Sequence, residues 1–142
     1  MSHKIQISRG PAATQPAVER HFNELQSRYG EVDVINLIGN KEGELILGKE
    51  YNDRIYDLNG DGVENRLRMI NFDFNAICKG GNYDNVSLLI DQIQDRLESF
   101  DFFLLDMEMD TPINYQKGVF RTNCVDWYEN KVYIFVLNQL SL

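Results

Sequence analysis

Cysteine, histidine and positive charge are all scarce in this chain. Two cysteines, Cys78 and Cys124, are too few for a disulfide framework, which predicts a reducing compartment. Two histidines, His3 and His21, form no helical pair and join no Cys/His cluster, so the pattern predicts no metal and no cofactor. His21 falls beside the apolar face of a helix and reads as a surface residue. Lysine and arginine number 14 against 22 aspartates and glutamates, for a net charge of −8. That balance argues against a non-specific nucleic-acid binder, which needs a basic footprint. It also disfavours plain electrostatic adhesion to anionic membranes. No apolar run approaches the roughly 20 residues that span a bilayer. The opening MSHKIQISRG lacks the apolar core of a signal peptide. The expected location is cytoplasmic, peripheral to membranes at most.

What is present is the composition of a packed domain: 142 residues, 43% hydrophobic and 11% aromatic. KIQIS (4–8) alternates as a short strand. Thr14 can cap a helix whose apolar face is Val18, Phe22, Leu25 and Tyr29, with Gly30 as its stop. VDVINLI (32–38) reads as a buried strand, and residues 42–56 as a second helix. Leu67, Met69, Phe72 and Phe74 mark a strand whose alternation slips at Ile70, followed by a tight CKGG loop. Val86, Leu89, Ile90, Ile93 and Leu97 define a third amphipathic helix, capped near Asp84 or Asn85. FFLL (102–105) is a strand, DMEMDTPINYQK a polar loop, and GVFRTN (118–123) a strand running into Cys124. Strands alternating with helices predict an α/β fold with a largely parallel or mixed sheet flanked by helices.

Two stretches imitate ligand loops. GELILGKE (43–50) has the spacing of a phosphate-binding P-loop up to Lys49, but Glu50 stands where a serine or threonine would hold magnesium. Its interior is apolar and helix-prone, so it reads as a helix face. DLNGDG (57–62) copies the first half of a calcium loop, but the closing bidentate glutamate is replaced by Arg68. It reads as a glycine-rich turn.

Cys124 carries the remaining chemistry. A cysteine at the C-terminal end of a parallel strand lies at the usual ligand edge of an α/β sheet. Helix N-terminal N–H groups behind it would lower its pKa and hold a phosphate. An isolated cysteine is also a common buried structural thiol. The stretches QISRGPAATQPAVERHF, YGEVDVINLIGNKEGE, NFDFNAICKGGNYDNVSLLID and QKGVFRTNCVD, taken in order, resemble the Sac phosphoinositide phosphatase family, and the second is most similar to its synaptojanin-like branch. The resemblance implies hydrolysis of a phosphate monoester on an inositol lipid headgroup. By it Cys124 matches the nucleophile and Asp126 the loop aspartate. Arg121 to Asn123 match the entry to the loop, with Arg121 and Asn123 as substrate phosphate contacts. Asn75 stands where the family is expected to have a histidine.

The likeness stops inside the signature RTNCxDCLDRTN. The arginine position is Asn130, Glu129 keeps an acid in the loop, and Lys131 lacks the planar fork of a guanidinium. The following KVYIFVLNQLSL is β-prone where the family has a helix. The expectation is an incomplete Sac catalytic subdomain over 1–126, lacking the family's N-terminal subdomain, and a non-family tail over 127–142. Cysteine codons begin TG and tryptophan is TGG. Trp127-Tyr128-Glu129 therefore back-translates to TG followed by a sequence resembling a splice donor, and the tail reads as translated intron. The chain is expected to be an inactive phosphoinositide phosphatase; the alternative is a non-catalytic fragment that binds phosphoinositides or protein.

Overall fold

The computed structural model describes residues 6–60 and 67–124. Its centre is β1 (Glu31–Asn36), where every residue after Glu31 is buried. A strand of this kind must be paired at both edges and covered on both faces. β2 (Arg68–Asn71) and β5 (Gly118–Asn123) pair with it, both parallel, in the order β2-β1-β5. Parallel neighbours require crossovers, and these supply the covering helices. α2 (Glu42–Asn59) links β1 to β2. α3 (Phe74–Ile77) and α4 (Ser87–Phe100) follow β2, while α1 (Pro11–Tyr29) precedes β1. On one face Val18, Phe22 and Leu25 of α1 join Tyr51, Ile55 and Leu58 of α2 over Val32, Val34, Met69 and Val119. On the other, Leu89 and Ile93 of α4 pack with Phe74 and Ile77 over Ile35, Leu37, Ile70, Phe72 and Phe120. Side chains this size contribute about 1.5–3 kcal/mol each when fully buried. Ile93, at 1% exposure, reaches that limit. The architecture is the expected α/β one, with a parallel three-stranded sheet. Beside it lies an antiparallel pair, β3 (Leu104–Asp106) with β4 (Thr111–Asn114).

Two glycines set how the chain enters this sheet. Gly30, at φ +84°, turns α1 into β1, and a Cβ there would collide with the Lys117 carbonyl oxygen. That oxygen accepts the Glu31 N–H at 2.9 Å. Gly118 opens β5 against the Phe100 ring, where a Cβ would strike the ring and come within 2.8 Å of the Glu31 carbonyl oxygen.

One charge lies within the apolar layers. Asp33 is fully buried and accepts two hydrogen bonds from Arg96 of α4, Nε to Oδ2 and Nη2 to Oδ1, each 2.8 Å. The same Nη2 reaches the Glu31 carboxylate at 2.7 Å, and the guanidinium lies 4.6 Å from the centre of the Phe100 ring. The hydrogen bonds that Arg96 donates to Asp33, with the pairing to Glu31, hold its pKa above the ordinary guanidinium value. This bidentate fork ties the start of β1 to α4.

Several expectations shift. No strand forms over 6–8, where no described strand pairs with the segment; residues 4 and 5 lie outside the described ones. Thr14 does not cap α1. The helix begins at Pro11, a residue preorganised for the first helical position, and the Thr14 hydroxyl donates back to the Gly10 carbonyl at 3.2 Å. The second helix runs on through Asn59, whose amide exchanges a reciprocal pair of hydrogen bonds with the Leu67 backbone at 2.8 and 2.9 Å. Phe74 belongs to α3 and not to a strand, because Asp73 caps that helix by accepting the Ala76 N–H at 3.0 Å. The cap foreseen at Asp84 or Asn85 is replaced by a 3-10 turn over Tyr83–Val86 leading into α4. Asn85 instead donates to the Ile77 carbonyl at 2.7 Å. The polar loop after Asp106 contains β4, with Asp106 Oδ1 accepting the N–H groups of Glu108 and Met109 to close the turn.

Candidate functional site

The three parallel strands end side by side, and each ends in asparagine: Asn36, Asn71 and Asn123. Cys124 follows the last of them directly. It is half-buried and packs against the apolar cluster that contains Ile35, Leu37 and Phe72, on the α4 side of the sheet. The Leu37 N–H donates to the Asn123 carbonyl at 2.9 Å, extending the β1–β5 ladder to the residue before the cysteine. Cys78 is buried, and burial pushes its thiol pKa up. Neither cysteine is in a disulfide.

The asparagine amides form a ladder across the strand ends. Asn123 Nδ2 donates to Asn36 Oδ1 at 2.6 Å, Asn36 Nδ2 to Asn71 Oδ1 at 2.8 Å, and Asn71 Nδ2 to Asn52 Oδ1 of α2 at 3.1 Å. A backbone group fixes its polarity at Asn36. The Ile38 N–H donates to Asn36 Oδ1 at 3.2 Å, so the Asn36 oxygen cannot face Asn71. Asn52 Nδ2 donates to the Gly48 carbonyl at 2.8 Å and also to Asn71 Oδ1 at 3.4 Å, so the Asn52 and Asn71 amides pair reciprocally. With the Asn36 oxygen set by Ile38, Asn123 has to turn its NH2 toward Asn36. Its Oδ1 is buried and finds no hydrogen-bond partner among the described residues.

Next to the ladder lies an open cavity of about 570 Å³, lined among others by Asn36, Gly39, Asn40, Lys49, Asn71 and Asp73. The loop after β1 that forms its rim is held by two carboxylates. Glu44 accepts the Gly39 N–H at 3.1 Å, and Asp73 accepts the Asn40 N–H at 3.0 Å.

Arg121, foreseen as a phosphate contact, lies elsewhere. Its guanidinium is 5.7 Å from the centre of the Tyr51 ring of α2 and donates to the Thr122 carbonyl at 3.1 Å. Arg121 therefore faces the α2 layer while Cys124 faces the α4 layer. The Tyr51 hydroxyl is buried with no hydrogen-bond partner among the described residues, and burial raises its pKa, with Arg121 opposing. Asn123 is adjacent to Cys124, as foreseen, but one of its donor groups is committed to Asn36. Asp126 and Asn130 lie outside the described residues. His21 sits on the surface of α1 with its ring edge-on to Phe22, 5.1 Å between centroids. The P-loop look-alike is helix α2, with Gly48 and Lys49 on the cavity wall. In the calcium look-alike, Asn59 is taken by Leu67, and Asp57 pairs with Arg54 at 3.3 Å. Among the described residues no His, Cys, Asp and Glu cluster could hold a metal ion. Nor is any helix there long and apolar enough to cross a membrane.

The sequence reading singled out Asn123 but missed the ladder that holds it. Only GVFRTN ends visibly in asparagine; the segments that hold Asn36 and Asn71 read as running on to Ile38 and Phe74, so the sequence did not mark the three as neighbouring strand ends.

Comparison with known proteins gives the chain's relatives. A family model described as the SacI homology domain matches residues 1–79. Synaptojanin-1 of Homo sapiens is 36% identical over 126 residues, 88% of this chain and 8% of that protein. Phosphoinositide phosphatase SAC8 of Arabidopsis thaliana is 35% identical over 113 residues, 80% of this chain and 18% of that protein. Polyphosphatidylinositol phosphatase INP53 of Saccharomyces cerevisiae is 32% identical over 123 residues, 87% of this chain and 11% of that protein. The chain thus spans less than a fifth of the length of each of these relatives, and with a family model covering more than half of it, it belongs to the SacI homology domain family.

Proposed function

We propose that this chain carries the nucleophile strand of a phosphoinositide phosphatase, with Cys124 as the nucleophile position, and that it has no turnover of its own. The observation that supports this is the position of Cys124, directly after the C-terminal end of β5 and beside the strand ends of a parallel sheet. In the complete reaction the Cys124 thiolate attacks phosphorus and an S–P bond forms as the P–O bond to the inositol oxygen breaks. That oxygen leaves with a proton from a nearby carboxylic acid, Asp126 being the aspartate of the same loop, and water then releases phosphate from the phosphocysteine. The substrate is a phosphoinositide headgroup at a membrane surface, reached as a cytoplasmic, peripheral protein.

Transition-state charge on the phosphoryl oxygens needs a guanidinium clamp, and Asn130 stands in its place. Losing a preorganised charge stabiliser costs about 10²–10³ in rate. Arg121 does not replace it, because its guanidinium sits over Tyr51 on the opposite face. Residues 1–126 are the family segment and 127–142 a tail foreign to it. The test is release of inorganic phosphate from phosphoinositide vesicles, with Cys124→Ser as control. No release above that control is expected. Turnover that Cys124→Ser abolishes would overturn the inactive reading.

A further inference from the structure

We infer that Asn36 is a positioning residue for Cys124, acting through Asn123, and that the amide ladder is the device that sets where the cysteine sits. Cys124 follows a strand with one described neighbour, β1, so backbone pairing alone leaves the end of β5 anchored on one side. The ladder adds side-chain anchors at that point. Asn36 is 3% exposed, so its hydrogen bonds face no competition from water, and its Oδ1 collects both the Ile38 N–H and the Asn123 amide. Because the Ile38 N–H and the bond to Asn71 fix which way the Asn36 oxygen points, Asn123 is confined to one of its two amide orientations. A thiol one residue further on inherits that constraint. Misplacement of a reacting group by about 1 Å can cost 10²-fold in rate. This also separates Asn123 from the role of a simple phosphate donor: the amide that the resemblance aims at phosphate spends a proton on Asn36.

Size-matched variants separate positioning from plain stability. Asn36→Leu removes the acceptor that Asn123 needs. Asn36→Asp keeps an acceptor for Asn123 and for the Ile38 N–H but cannot donate to Asn71, and it buries a charge. Asn36→Asp is therefore expected to be the less stable protein with the better-placed cysteine. The measurement is the rate of alkylation of Cys124 by iodoacetamide, followed by peptide mass spectrometry. It is read on the plateau above the thiol's titration, so that effects on ionisation drop out. Buried Cys78 serves as the slow internal reference. The full chain is used, and urea unfolding is recorded for each variant. Asn36→Leu is expected to change the plateau rate by about tenfold and Asn36→Asp by less than about twofold. Asn123→Asp, which loses the donor at unchanged size and a less buried position, should behave like Asn36→Leu and decides the matter if Asn36→Leu fails to fold. Wild-type rates in Asn36→Leu and Asn123→Asp, or changes in all three variants that follow their loss of stability, would overturn the inference. It rests on the reading of Cys124 as the nucleophile position, but phosphate release tests that reading and alkylation tests the ladder, so either can fail alone.

Discussion

Replacing Arg96 by leucine should remove a large share of the domain's stability, because it strands a carboxylate in the core. Asp33 is fully buried, and both of its oxygens bond to Arg96 at 2.8 Å. Hydrogen bonds to charged groups contribute about 1.5–3 kcal/mol each, and breaking a buried pair by deleting one partner costs about 3–5 kcal/mol. The Glu31 contact adds about 0–1 kcal/mol, since that carboxylate is 64% exposed. The expected loss at neutral pH is therefore about 3–5 kcal/mol, against a typical whole-domain stability of about 5–15 kcal/mol. Urea unfolding followed by far-UV circular dichroism at neutral pH measures the loss. The double variant Asp33→Val with Arg96→Leu should recover most of the loss, because it leaves no buried charge. A cost under about 1 kcal/mol for Arg96→Leu would show that the pair behaves like a surface ion pair and would refute this account.

Further predictions are briefer. Gly30→Ala should be destabilising by more than about 1 kcal/mol, since φ is +84° and the new methyl meets the Lys117 carbonyl; an unchanged urea midpoint would contradict this. The Asp101 carboxyl is held below the usual carboxylate range, first by the hydrogen bond from Lys117 and then by the Phe102 N–H. Its contribution is present above about pH 4, the unfolded value, and is lost as pH falls through the lower folded value. The stability gap between wild type and Asp101→Asn should therefore close in acid, and a gap that persists at low pH would argue otherwise. Genomic DNA downstream of the Trp127 codon should hold an acceptor AG followed by a frame completing a cysteine codon and then Leu-Asp-Arg-Thr-Asn. Sequencing that region checks the origin of the tail, and absence of the frame makes the tail the protein's own.

The parts of the fold legible in the sequence are those where burial dictates the pattern. VDVINLI announced β1 because that strand is covered on both faces, although it stops at Asn36. GVFRTN gave β5 with its bounds. The hairpin strand Thr111–Asn114 was not legible, because all but Asn114 are exposed, so no hydrophobic alternation marks it and a proline argues against it. Phe74 continued a period-two pattern by coincidence, and only the Asp73 cap reveals a helix. Asp33 looked like one polar interruption in an apolar run. Its partner is 63 residues away, a separation that local pattern cannot bridge. The position of Cys124 was readable from the strand before it. The direction of Arg121 was not, because it depends on Tyr51 arriving from α2.

β5 borders the described sheet, with β1 on one side only. Alternate N–H groups along it point toward β1 and the rest point away, as the ladder of a parallel pair requires. Deuterium uptake should therefore be biphasic within a single six-residue strand, slow at the inward amides and fast at the outward ones. A strand paired along one flank among the described residues can open before α1 and α2 unravel, at the cost of withdrawing Val119 from the core they share with β1. Its opening free energy would then fall below that of global unfolding. Exchange of the inward amides would report the lifetime of the Cys124 platform as a quantity separate from the stability of the domain that carries it.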